Sequence, residues 1–465
     1  MTGPADQITN AKGCAMPPET SPVAYIVKRY PRLTETFILN EIRAMERLGV
    51  KLEIFSLLPP EPPPHHPMVA EVAAPIRHLP VAWRPKLGAL ARAHGSAIAD
   101  APLRYAGAVG RAILWSALSP SPLAVWKQFI RAGYVATACR RAGIGRMHAH
   151  FANAPAAVAR FASVMSGIPF SFTTHAKDLY LTPRRVMQRR VGAASFVATC
   201  TGYNADYLRG LLPESAHGKV HLVYHGIDLS LFRFRERPGP AAASGLPPLI
   251  LSVGRLVPKK GLDDLIAACA TLRGNGTAFR CMIVGEGPLR GQLEADILRR
   301  GLEGTVVLEG AMTHARLIDL YRTADVFALP PRIAADGDRD GIPNVIAEAM
   351  AIGVPVVSTD VSGIPELVKH GITGLLVPPS DPRRLSEAMQ RLLEEPEGAQ
   401  RMARAARAEL DRNFDCWETT KRLRSLVTEG ACCAAPHARF PLAAQRGAVP
   451  PAAPQIAAKS RLLAE

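Results

Sequence analysis

The chain has 465 residues, 48% hydrophobic and 21% charged, with a formal net charge of +16. At about 100–200 residues per domain this length points to about two to four domains, and the composition excludes wholesale disorder, a collagen-like repeat and a small disulfide framework. The charge is uneven: residues 1–240 hold 29 Lys and Arg against 14 acids, a net of +15, and residues 241–465 hold 27 against 26, a net of +1. The first half is therefore expected to meet something anionic, such as a membrane surface, a phosphorylated substrate or nucleic acid.

The eight cysteines are scattered and form no C-x-x-C pair, which argues against zinc-knuckle, iron–sulfur and disulfide-scaffold readings. The first 22 residues carry Asp6, Glu19 and four prolines without a basic-then-apolar pattern, so no secretory signal is expected. No run reaches 18 uninterrupted apolar residues, and no membrane-spanning helix is expected. The expected compartment is the cytoplasm, with peripheral contact at the inner face of the plasma membrane left open.

In chain order, residues 1–21 read as a disordered leader. Val23–Lys28 is the first predicted strand, followed by a helical pattern from Glu35 to Leu48 that stops at Gly49. Lys51–Leu57 is a second strand. The stretch Pro59–Pro67 (PPEPPPHHP) excludes regular structure and reads as an exposed turn or polyproline segment. Residues 85–141 are helical, Ala-rich and basic, with breaks at Pro102, Pro120 and Pro122. Strands then alternate with helices: Arg146–His150, Pro169–Thr174, Ser195–Thr199 and Lys219–Tyr224. Such alternation predicts a parallel sheet.

Residues 229–248 read as a charged, Pro/Gly/Ala-rich hinge, after which the rhythm restarts. Pro248–Val253, Arg280–Val284, Thr305–Glu309, Val326–Leu329, Val354–Ser358 and Leu375–Val377 are predicted strands. Leu262–Leu272, Pro288–Arg299, Arg316–Arg322, Asn344–Ala351 and Pro382–Leu393 are predicted helices. The expected fold class is α/β, with two Rossmann-like parallel-sheet domains facing a cleft: 22–228, joined by a crossover helix at about 414–428, and 249–413. The tail 431–465 reads as disordered.

Chemistry-bearing residues cluster where strands end. Thr34, Glu35 and Thr36 follow the first strand and read either as a helix cap or as a loop facing the cleft. His148 and His150 suggest a metal pair, but no third ligand is evident, so packing or an acceptor wall is preferred. Thr173-Thr174-His175-Ala176-Lys177-Asp178 ends another strand. In the second half, Gly254-Arg255-Leu256-Val257-Pro258-Lys259-Lys260-Gly261 precedes a helix. There the backbone N–H groups, the helix dipole and the cations suit a diphosphate, while a solvated surface loop is the plain alternative. Gly285-Glu286-Gly287 allows close backbone approach to a ligand or a tight turn.

Asp340-Gly341-Ile342-Pro343-Asn344 opens a helix that carries Glu348 and runs into an apolar strand. Eight helical residues would separate the two carboxylates by about 12 Å. They are therefore placed to hold two ends of an extended ligand, not to share a proton, and a carboxylate accepting from vicinal hydroxyls is a natural ribose clamp. The overlapping D-x-D patterns at Asp336–Asp340 could ligate Mg²⁺ or Mn²⁺, but a solvated acidic loop paired with Arg339 is preferred, because Arg255 and Lys260 already supply positive charge.

Together GRLVPKKG, VGEGP, the Asp340-x7-Glu348 spacing and EAMAIGVPVVSTDVSGIPELV resemble the retaining, nucleotide-sugar-dependent glycosyltransferases of family 4, which have the GT-B fold. The segment PRLTETFILNE resembles the branch that builds bacterial exopolysaccharides of the colanic-acid type. The resemblance implies that Gly254, Arg255 and Lys260 bind the donor diphosphate, that Gly285, Glu286 and Gly287 form a nucleotide loop, and that Glu348 holds the ribose. It implies that Asp340, Gly341, Ile342, Pro343 and Asn344 surround the donor sugar, with Asp340 one methylene shorter than the usual Glu. His175 would touch the sugar near the reacting carbon, positioned by Asp178, and Arg255 and Lys260 would complete the catalytic set.

The implied reaction moves a hexose from a UDP- or GDP-sugar to a hydroxyl of a glycan or lipid-linked acceptor, with no cofactor and no metal. A UDP-sugar 2-epimerase of the same fold and a non-catalytic sugar-nucleotide-binding protein are the competing readings. The basic stretch Pro85–Arg190 reads either as a solvated face or as a dock for anionic lipid. Nucleic acid fits less well, because no recognised binding module is present.

Overall fold

The computed structural model describes residues 21–32, 35–63, 65–79, 83–236 and 246–429. The predicted leader up to residue 20, Thr34, the hinge residues 237–245 and the predicted tail 431–465 lie outside the described residues.

The first sheet has seven strands: β1 (Val23–Arg29), β2 (Leu52–Leu58), β3 (Ile76–His78), β4 (Arg146–His150), β5 (Phe170–Thr174), β6 (Val197–Thr199) and β7 (Val220–Leu222). They run in the order β3-β2-β1-β4-β5-β6-β7, and every pair is parallel. The second sheet has six: β8 (Leu249–Val253), β9 (Arg280–Val284), β10 (Val306–Glu309), β11 (Val326–Leu329), β12 (Val356–Thr359) and β13 (Leu375–Val377). Its order, β10-β9-β8-β11-β12-β13, repeats the same doubly wound plan in parallel strands.

In each sheet the winding direction reverses beside the first strand, between β1 and β4 and between β8 and β11. The loops after those strands diverge there and leave a crevice at the strand C-termini. Tyr30–Arg32, Phe151–Asn153, Gly254–Gly261 and Pro330–Pro343 follow those strands, so the motifs noted in the sequence stand at the strand ends.

Helices on both faces bury the strands, so Val23, Ala24, Tyr25, Ile26 and Val27 are all buried, and so are all five residues of β8. On one face of the first sheet, Ile38, Ile42 and Met45 of the helix Thr36–Arg47 share a core with Leu423, Leu426 and Val427 of the last helix, Cys416–Thr428. The chain thus returns to the first domain at its end, and Ile227 and Asp415 form a parallel bridge where it does so.

Three differences from the sequence reading have physical causes. The edge strand β3 carries no apolar signal, because all three of its residues are exposed. The helix Pro396–Asn413 buries three alanines, Ala399, Ala403 and Ala406, with only Met402 and Leu410 as larger apolar side chains, a stripe that gives little apolar signal. The polyproline stretch is not wholly exposed: its end tucks in, and His66 and Met68 are buried.

Candidate active site

Gly254 begins the loop after β8, and the Lys260 side chain folds beneath it, its Cε 3.4 Å from where a Cβ on Gly254 would sit. Lys260 Nζ lies 2.7 Å from Asp340 Oδ2, and Lys259 Nζ lies 3.1 Å from both Asp340 Oδ1 and Asp338 Oδ1. Burial alone would raise the Asp340 carboxyl, but Lys260 and Lys259 hold it down at about 2. The acidic loop is therefore paired with Lys259 and Lys260, not with Arg339 as the sequence suggested. Arg339 is buried and lies 4.3 Å over the ring of Tyr180, which belongs to the first domain. Arg255 is exposed and makes no ion pair among the described residues.

The two glycine loops pack on each other. Leu256 N donates to Glu286 O at 2.9 Å, and a Cβ on Gly285, whose φ is +147°, would fall 2.0 Å from Gly254 O. Gly285 is thus explained by loop-on-loop approach. The Glu286 side chain points outward and pairs with Arg290 at 3.2 Å. Pro343 stands at the N-cap, one residue before the helix Asn344–Ile352, with Ile342 packed against the second core. Glu348 is buried in that helix and accepts from Tyr321 Oη at 3.0 Å. Burial raises its carboxyl to about 7, against the opposing hydrogen bond.

The first domain supplies the opposite wall. His175 is buried after β5; His225 Nε2 lies 2.9 Å from its Nδ1, and its Nε2 has no hydrogen-bond partner. Burial holds His175 well below the ordinary imidazole range and His225 at about 4, so both rings are neutral near pH 7. Asp178 does not reach outward. It accepts from His175 N at 2.9 Å, Ala152 N at 2.5 Å and Thr174 Oγ1 at 3.1 Å, and so positions the turn that carries His175. Burial raises its carboxyl to about 6 despite those bonds.

His175, Cys200 and His225 offer ligand-type atoms within 4.8 Å of one another, and Cys200 Sγ lies 3.7 Å from a Cβ placed on Gly341. Cys200 therefore links the His175–His225 cluster of the first domain to the Asp340–Asn344 turn of the second. Glu35 occupies the N-cap of Thr36–Arg47 with no side-chain cap bond, and its carboxylate pairs with Arg32 at 2.6 Å. Thr36 is the first residue of that helix.

The sequence showed no third group for the His148–His150 pair, but the fold brings Glu41 beside it. Glu41 Oε1 lies 3.1 Å from His150 Nε2 and also accepts from Tyr25 Oη at 2.9 Å. Both nitrogens of His148 meet hydroxyls, Ser171 at 2.8 Å and Thr173 at 2.9 Å, which favours packing over metal ligation.

Sequence reasoning also missed His225, whose signal was its position just after the last strand of the first sheet, and Glu366. The Glu366 carboxylate, on the second domain, accepts from Gly202 N at 2.7 Å, Tyr203 N at 2.8 Å and Tyr224 Oη at 2.8 Å, all on the first domain.

A sequence model described as glycosyl transferases group 1 matches residues 236–409. The chain is 30% identical to WcaL of Salmonella typhimurium, named for colanic acid biosynthesis, over 385 residues that cover 78% of this chain and 88% of that protein. It is 39% identical to the amylovoran biosynthesis glycosyltransferase AmsK of Erwinia amylovora over 197 residues, 42% of this chain and 47% of that one. The crystal structure of Anabaena HepE in complex with UDP superposes with a TM-score of 0.65 at 17% identity, covering 88% of this chain and 100% of that chain. The architecture is accordingly that of the GT-B fold, and the chain belongs to the group 1 glycosyl transferases.

Proposed function

We propose that the protein transfers a hexose from a nucleoside-diphosphate sugar to a hydroxyl of a growing bacterial exopolysaccharide, with retention of anomeric configuration. The observation that carries this is that Cys200 lies both in the His175–His225 cluster and against Gly341, in the turn that runs from the Lys260–Asp340 pair to the start of the helix Asn344–Ile352. One wall offers a neutral imidazole for sugar hydroxyls. The other offers cations and a helix N-terminus for a diphosphate. The names of WcaL and AmsK support an exopolysaccharide product, and the UDP bound to HepE supports a UDP-sugar donor.

In this reading the bond from the anomeric carbon to the β-phosphate oxygen breaks, and negative charge grows on the leaving diphosphate. Lys260, Arg255 and the amides at the helix start stabilise that charge as it develops. Asp340 exchanges part of its lysine pairing for sugar hydroxyls, and Glu348 accepts from the ribose. The acceptor hydroxyl attacks the face that the diphosphate leaves and passes its proton to a phosphate oxygen. No dedicated base is required.

The acceptor is read as lipid-linked. Residues 83–141 carry nine Lys or Arg against one acid, Asp100. Of thirteen exposed large apolar side chains among the described residues, seven fall there, including Leu103 at 88%, Leu118 at 61% and Leu123 at 83%. Apolar side chains beside unopposed cations suit an anionic bilayer surface. Among the described residues no helix is long and apolar enough to cross a membrane.

Incubation with radiolabelled UDP- and GDP-sugars and a membrane extract tests the reading. Label passing into the lipid-soluble fraction supports transfer. An epimerised nucleotide sugar, or binding without turnover, overturns it.

A further inference from the structure

The end of the proline-rich loop is bolted to the first domain. Arg43 Nη2 lies 2.6 Å from Glu71 Oε2, Arg43 Nη1 lies 3.2 Å from Asp228 Oδ2, and Glu46 accepts from Ala74 N at 2.6 Å. This holds His66, only 7% exposed, with its ring against that of His314 in the second domain, centroids 5.0 Å apart. His314 opens the helix His314–Thr323, and its Nε2 is 4.0 Å from Glu348 Oε1. The two histidines therefore join the domains at the Glu348 end of the cleft.

The tautomer of His66 follows from its neighbours. Its Nδ1 accepts from Met68 N at 3.3 Å, so the neutral ring carries its proton on Nε2. Burial and the nearby Arg43 charge lower its pKa and keep it neutral. That Nε2–H is buried and meets no acceptor among the described residues. A buried donor without an acceptor is costly and rare. His314, against which the His66 ring packs, lies beside Glu348, so an oxygen that receives this proton belongs close to that carboxylate.

We propose that His66 is a nucleotide-binding residue contributed by the first domain, its Nε2–H donating to a ribose hydroxyl that Glu348 grips from the second. A hydroxyl suits both partners, since it donates one proton to the carboxylate and keeps lone pairs for the imidazole. This rests on the reading of Glu348 as the ribose clamp. The nucleoside is then held by both domains, and nucleotide binding itself favours the closed cleft.

The test is calorimetric titration of the full chain with UDP, GDP and ADP, and then with the 2′,3′-dideoxy form of the tightest binder. His66→Phe keeps an aromatic ring beside His314 and deletes the donor, whereas His66→Gln retains an N–H. Expected are a loss of about tenfold for His66→Phe, near-wild-type binding for His66→Gln, and a smaller dideoxy penalty in His66→Phe than in wild type. His66→Ala, which leaves space instead of bulk, runs through the same cycle should the Phe variant not fold. Unchanged affinity in the apolar variants, loss in the Gln variant as well, or an equal dideoxy penalty throughout overturns the assignment while leaving the donor reading intact. Wild-type protein that binds no nucleotide overturns both.

Discussion

Lys260 and Asp340 meet at 2.7 Å, and Lys259 reaches the other oxygen of the same carboxylate at 3.1 Å, so one anion organises two cations at the mouth of a helix. Asp340 is ionised down to about pH 2 in the folded state, against an ordinary value of 3.8. A depressed carboxyl contributes stability that is complete above the unfolded value and is lost as pH falls through the folded one. The wild-type protein should therefore lose about 2 kcal/mol more than Asp340→Asn between pH ~4 and ~2. Thermal unfolding across that range measures it, and parallel curves for the two proteins would contradict the pairing.

Lys260→Ala should lower kcat by about 10²-fold while changing donor KM far less, because the charge it meets is fully developed only in the transition state. Steady-state kinetics with the identified donor decides this. A rise in KM at constant kcat would assign Lys260 to ground-state binding instead.

Glu348 titrates at about 7 because burial disfavours its charge. As a ribose acceptor it must be ionised, so binding of the nucleotide should strengthen as pH rises from 6 to 8 and release a proton on the acid side of 7. The sign is reversed for the unliganded fold, where a raised carboxyl costs stability as it ionises. Glu348→Ala should weaken binding by about 1–3 kcal/mol, and Glu348→Gln should abolish the pH dependence. Titrations in buffers of differing ionisation enthalpy check both. A pH-independent wild type would remove Glu348 from the ribose.

Glu366→Ala removes three hydrogen bonds that reach across the cleft, two of them to the first amides of the helix Gly202–Leu211. Loss of a capping acceptor costs about 0.5–2 kcal/mol. The variant should unfold at lower temperature and show a larger radius of gyration by small-angle scattering. An unchanged scattering profile would mean that this contact does not hold the domains together.

Much of the fold was legible because buried parallel strands are short apolar runs punctuated by glycine and proline. Arg146–His150, Arg280–Val284, Val326–Leu329 and Leu375–Val377 stand where those runs end. The second-domain motifs were legible because their chemistry is local in sequence, with Lys260 and Asp340 each set beside a helix start. The unread part is what folding brings together from afar. Glu41 reaches His150, His225 reaches His175 and Glu366 reaches Gly202, over separations of 50 to 164 residues for the last two. Glu41 and Glu366 lie inside quoted motifs and His225 just after a strand, but nothing local in the sequence names the distant partner of any of them. Asp178, read from its motif as positioning His175, accepts from the His175 and Ala152 amides and is placed by that local turn.

The return of the helix Cys416–Thr428 to the first sheet has a practical outcome for dissecting the molecule. The polypeptide passes from one lobe to the other twice, so no single cut yields two complete halves. A fragment ending before residue 249 would leave Ile38, Ile42 and Met45 without Leu423, Leu426 and Val427 as their cover, and would present a greasy stripe to solvent. Splitting the enzyme for separate study therefore calls for grafting the final helix back onto the amino-terminal piece.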